Sequence, residues 1–334
     1  MTERRSVIAN LLNPLLELLF QPGERPLQAK ISIYGSARTC LRSAYMEIPE
    51  KDPNEANSDW LTNGVITGNG PTSDQINEVL STRSYELSQC ISRDIVDLPQ
   101  EHKSIPLLLL SDVLHEDPRT FAALVSKTGV ARYMTDLLAS IEMDWVALSQ
   151  GNPESLRDHL LFKSLMVALT RMSLTESGWN ALAELALPEV LAQLQMFGHP
   201  PKQVFLQPAS IKEKGKPGEL YVSSVEIVLH LCVAVCAKPK WKRLSFKILD
   251  VVHSQGELLN QVMRAEIESR MLDYATALVQ HIWENDDTTR VVIDGDSVLN
   301  QLRVRPQGPD LKDKWAKKPY SFVIPSRLCP EYVR

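Results

Sequence analysis

Through most of this chain apolar residues recur every three or four positions, the spacing of an amphipathic α-helix. One compact form of the pattern appears twice. Residues 121–138 read FAALVSKTGVARYMTDLL, and residues 179–194 read WNALAELALPEVLAQL. Each predicts a short apolar helix, a break at Gly129 or Pro188, and a second amphipathic helix. A long helix is expected between the two units. Helical hairpins arranged this way point to a stacked α-solenoid, a fold that mostly binds other proteins.

The rest of the chain carries the same signal with interruptions. Val7 to Phe20 predicts a helix bent near Pro14, ended by QPGERP over 21–26. Leu27 to Ile48 predicts a second long helix. From about 49 to 72 the chain is rich in Pro, Asn, Asp, Ser and Gly and has no apolar period, so a mobile loop is expected. Helical spacing returns over Ser73 to Leu98 through Ile76, Val79, Leu80, Leu87 and Ile91, and is dense from Ser104 to Ile141. Asp117-Pro118 is a helix start, an acidic cap followed by proline at the first helical position. Gly129 fits the left-handed stop after a helix. Asn152-Pro153-Glu154 opens a helix to about Leu174, with Leu156, Leu160, Leu161, Leu165, Ala168, Leu169 and Met172 as one stripe. A flexible connection is expected over about 200–218, then two or three helices up to Trp283. VVIDGDSVLNQLRV (291–304) looks strand-like around an Asp-Gly-Asp turn, and the remainder is polar and proline-rich. The organisation read from the pattern is a solenoid over 1–290 with an appended, weakly structured tail over 291–334.

Composition sharpens the class. Hydrophobic residues make up 44% and aromatic ones 6% of 334 residues, so the core draws on Leu, Val, Ala and Ile, as an all-α protein does. A net charge of −5 argues against broad binding of nucleic acid. The cysteines Cys40, Cys90, Cys232, Cys236 and Cys329 are odd in number and scattered, which favours free thiols in a reducing compartment. The N-terminus superficially resembles a signal peptide. However, Asn10, Asn13, Pro14 and Glu17 interrupt its apolar run and no small-residue cleavage site follows, so an amphipathic first helix is expected. Leu220 to Ala237 barely reaches the length of a membrane span and carries Glu226 and His230 at its middle. A buried central helix is the simpler reading, and no transmembrane segment is expected.

Candidate chemistry is sparse. His230, Cys232, Cys236 and His253 are the best metal-ligand candidates, because Cys232 and Cys236 share one helix face. Yet the chain has no paired CxxC, and cysteines in so apolar a helix behave as small hydrophobes; core packing is expected, and no metal. Gly64, Gly68 and Gly70 only loosely resemble a phosphate loop, and no Lys-Ser/Thr follows. Asp294 and Asp296, after Val291-Val292-Ile293, resemble an acidic pair that holds Mg²⁺ at a strand end, though a turn between short strands is favoured. There is no GxSxG, HExxH or glycine-rich strand-to-helix fingerprint, so neither a catalytic residue nor a cofactor is expected. Lys238, Lys240, Lys242 and Arg243 surround Trp241 in what reads as a solvated turn. Trp145, Trp179, Trp241 and Trp283 sit on or beside helices. Tryptophan is favoured at interface hot spots, and Trp241 and Trp283 are the candidate partner contacts.

Four segments in order carry a resemblance. IYGSARTCLRSAY (33–45) has an aromatic-Gly-small segment followed by an aliphatic stripe. LLFKSLMVALTRMSLTESGWNALAELALPEVLAQLQMFGHPP (160–201) runs through an aliphatic helix, a break, Gly, a short helix, a V-L-x-x-L helix, then Phe and Pro. VEIVLHLCVAVCA (225–237) and FKILDVVHSQGELLNQVMRA (246–265) continue it. Over roughly residues 1 to 285 the chain resembles the C-terminal region of the largest inner-ring scaffold nucleoporins. That resemblance implies an irregular α-solenoid of HEAT and armadillo-like hairpins, located at the nuclear envelope in the nuclear pore complex. It also implies a scaffold that supports nucleocytoplasmic transport. The implied partners are other nucleoporins, above all a short amphipathic helix of the inner-ring linker nucleoporin. The alternative is a cytosolic armadillo-like adaptor, which would line its groove with a ladder of Asn or Trp that this chain lacks.

Overall fold

Local capping chemistry divides the chain into helices mostly where the pattern expects them, although four helices rather than two or three lie between residues 217 and 285. In a computed structural model the described residues are 2–21, 26–45, 74–236, 245–264 and 270–285, and every regular element among them is helical. The first part holds α1 (Thr2–Phe20), α2 (Leu27–Tyr45), α3 (Asp74–Asp97), α4 (Ser104–Glu116), α5 (Pro118–Lys127) and α6 (Val130–Ser140). The middle holds α7 (Trp145–Ser149), α8 (Pro153–Ser173), α9 (Glu176–Glu184), α10 (Leu187–Ala192) and α11 (Gln195–Gly198). After these come α12 (Pro208–Lys212), α13 (Pro217–Cys236), α14 (Ser245–Ser254), α15 (Gly256–Arg264) and α16 (Met271–Asn285).

The caps are built from side chains that satisfy the first free amides of a helix. Asp117 accepts from the Thr120 amide at 3.1 Å, with Pro118 at the first position of α5. Asn152 does the same for Glu154 at 2.9 Å and Ser155 at 3.3 Å, and Asp144 for Ala147 at 2.9 Å. Gly129 separates α5 from α6 at φ 72°, the left-handed conformation that a side chain disfavours. Thr175 caps α9 through the amide of Gly178 at 3.1 Å. A Cβ at Gly178 would lie 2.3 Å from the Met172 carbonyl oxygen, at the turn out of α8. Gly178→Ala is therefore expected to cost about 2 kcal/mol by overpacking, read as a lower midpoint in urea unfolding.

The second hairpin departs from the expected break at Pro188. The chain turns two residues earlier, with Ala186 at φ 52°, and Pro188 lies in the first turn of α10, where a missing amide costs nothing. Alanine in the left-handed region is strained, so Ala186→Gly is expected to raise stability by about 1 kcal/mol, visible as a higher Tm.

Two further expectations are corrected. Leu156 and Leu160 do not join the buried stripe of α8: they are 47% and 42% exposed, whereas Leu161, Leu165, Ala168, Leu169 and Met172 are buried. Each lies roughly 140° round the helix from the residue five places on, and His159 and Phe162 take the inward positions instead. The stretch 200–218 is not bare connection. It carries a 3₁₀ turn (Gln203–Leu206) and α12, and buries Leu206, Ile211 and Pro217.

Packing follows two rows. In one, α2 lies on α4, α4 on α8, α8 on α13, and α13 on α16. In the other, α3 lies on α5, α5 on α9, and α10 on α14; α1 covers α2 and α3 at one end. The rows meet through α3 against α4, α4 against α5, and α8 against α9. Helix α13 has the length and apolar composition of a membrane-crossing helix, and packs against α7, α8 and α16. Its Val225, Val228, Leu229, Leu231, Cys232 and Val235 are buried. The 49–72 loop, the glycines Gly64, Gly68 and Gly70, the basic run around Trp241, and the 291–334 tail with Asp294 and Asp296 lie outside the described residues.

Candidate functional site

The polar groups that the fold brings together join one helix to the next. On α3, Asp94 is 0% exposed, a position a carboxylate occupies only when its oxygens are matched by donors. Oδ1 accepts from Lys30 Nζ at 2.8 Å and from Arg93 Nε at 3.3 Å, and Oδ2 from the Tyr34 hydroxyl at 2.9 Å. Lys30 and Tyr34 come one turn apart from α2, so this cluster fixes α2 against α3. Cys90 lies beside it, its Sγ 3.8 Å from the Tyr34 oxygen and 3.7 Å from the Leu19 carbonyl oxygen on α1. Burial, helped by the neighbouring Cys90 and Asp94, raises the Tyr34 phenol well above its ordinary value. Burial likewise raises the Cys90 thiol. Both groups stay protonated near neutrality, and a protonated thiol is a poor nucleophile.

A second cluster joins three helices of one row. Asp112 on α4 accepts from Arg38 Nε of α2 at 2.9 Å, and its other oxygen lies 3.6 Å from Arg171 Nη1 of α8. The Arg171 guanidinium also donates to the Ser111 carbonyl oxygen. Burial lowers the pKa of Arg171, opposed by the carboxylates of Asp112 and Glu116; an arginine remains charged throughout. Lys103, at the start of α4, closes the end of α3. Its ammonium donates to the carbonyl oxygens of Ile95 at 2.7 Å and Val96 at 2.5 Å, and lies 4.9 Å from the centre of the Tyr133 ring on α6. A cation there complements the negative end of the helix dipole. In the second row, Ser92 and Thr128 pair at 3.1 Å between α3 and the end of α5, and Ser126 donates to the Ser177 carbonyl oxygen at 3.4 Å toward α9.

Two histidines, on α8 and α13, are held neutral. His159 on α8 is 7% exposed, and neither of its ring nitrogens has a hydrogen-bond partner. Burial, then the nearby Lys163 charge, pushes its pKa down to about 3. His230 on α13 stacks on the Tyr274 ring of α16 at 5.0 Å and 20°, and burial followed by Arg270 pushes it down to about 4.

The four metal-ligand candidates do not converge. Cys232 is buried and its thiol is raised well above its usual value by burial, and Cys236 is pushed up to about 12. His230 faces Tyr274, and His253 is exposed on α14. Metal binding needs thiolate and free imidazole, and no group of three possible ligands is brought together among the described residues.

Two of the tryptophans are core residues. Trp145 donates from Nε1 to the His199 carbonyl oxygen at 3.2 Å and meets Tyr221 edge-on at 5.0 Å, while Trp179 is buried in α9. Of the candidate partner contacts, Trp241 lies outside the described residues. Trp283 belongs to α16, but its side chain is outside them too.

Asp94, Asp112, Arg171 and Lys103 escaped the sequence reading. One signal was present: Asp94 falls on the buried period of Leu87, Ile91 and Leu98, a place where a charge requires donors from elsewhere. Among the described residues, large apolar side chains are exposed singly at Tyr85, Val96 and Val204 and in groups along two elements. Val7, Leu11 and Leu18 lie along the outer face of α1 at 55%, 53% and 40% exposure, and Leu156 and Leu160 on α8 and Val146 on α7 are exposed as well. No protein-family model matches the chain, and no curated protein matches it.

Proposed function

We propose that this protein is a structural scaffold component of the nuclear pore complex inner ring, an irregular α-solenoid that binds other nucleoporins and supports nucleocytoplasmic transport. The observation that carries the proposal is the ordered resemblance over roughly residues 1 to 285. The two rows of helices, each lying on the next, support the solenoid part of it. Polar contacts between successive helices suit a stack whose curvature must hold under load: Asp94 pins α2 to α3, and Asp112 pins α2 to α4 and α8.

The partner is a short amphipathic helix of the inner-ring linker nucleoporin, laying its apolar face in a shallow groove between helices. Trp241 and Trp283 anchor it, and the protein works at the nuclear envelope without a catalytic residue or cofactor. Calorimetric titration of the whole purified chain with synthetic amphipathic helices of the linker nucleoporin tests this. Saturable binding at micromolar concentration is expected, weakened at least tenfold by Trp241→Ala with Trp283→Ala while the helical dichroism is retained. An absence of binding to every such helix overturns the linker as partner. Undiminished binding by the double variant overturns the two tryptophans as its anchors.

A further inference from the structure

We draw no further inference here: the strongest candidate, the apolar stripe of Val7, Leu11 and Leu18 along the outer face of α1, has nothing in the structure to show what covers it.

Discussion

Replacing Asp94 by alanine is expected to lower the stability of the fold by about 3 kcal/mol, because the loss falls on its donors as well as on itself. The Tyr34 hydroxyl is buried and would lose its 2.9 Å acceptor, and Lys30 would keep a charge whose 2.8 Å partner is gone. Arg93 reaches solvent with most of its side chain and adds little. Tyr34→Phe removes one donor and leaves the carboxylate its two cations, so about 1 kcal/mol is expected. The double variant Asp94→Ala with Tyr34→Phe is then less damaging than the sum of the two, since the hydroxyl no longer needs the carboxylate. Urea unfolding of the four proteins measures this directly. Additive losses would mean that Asp94 and Tyr34 do not act as a pair.

Acid is expected to unfold the protein through its buried imidazoles. A free histidine titrates near 6.5, whereas folding holds His159 at about 3 and His230 at about 4. The unfolded chain therefore binds protons that the folded chain refuses. Stability is intact above about pH 6.5 and falls as the pH drops through the interval down to the folded values. For His159 the loss between pH 6.5 and pH 4 is roughly 3 kcal/mol. His230 contributes in the same direction, as protonation would bury a charge and set it against Arg270. His159→Leu should flatten the acid limb of a stability-against-pH curve. It should also hold or raise stability at pH 7, since both ring nitrogens are buried without partners. An unchanged acid limb in His159→Leu would rule out His159 as its source.

Helix existence was legible because spacing and caps are local properties. Asp117-Pro118 and Asn152-Pro153 begin α5 and α8 as the cap rules require, and Gly129 takes the left-handed turn between α5 and α6. The turn at Ala186 was not legible, because alanine is the strongest helix former and only the surrounding packing holds it in the left-handed region. Leu156 and Leu160 show the limit of a periodic count, which accepts residues to either side of the core face. The segment 200–218 buries Leu206 and Ile211 five positions apart, off the helical period, where α12 packs on α13 and α15. The pins at Asp94 and Asp112 join residues 60 and 74 positions apart, a separation no local pattern encodes. Lys103 was hidden for another reason. Only the folded end of α3 presents it with two free carbonyl oxygens.

We propose that these helices hold nucleoporins in place. Affinity capture of the tagged full chain from a nuclear-envelope extract, washed at moderate salt and read by quantitative mass spectrometry, tests it most directly. An inner-ring scaffold enriches inner-ring nucleoporins, with the linker among the most abundant. Enrichment of unrelated cytosolic proteins in their place would contradict the scaffold and favour an armadillo-like adaptor.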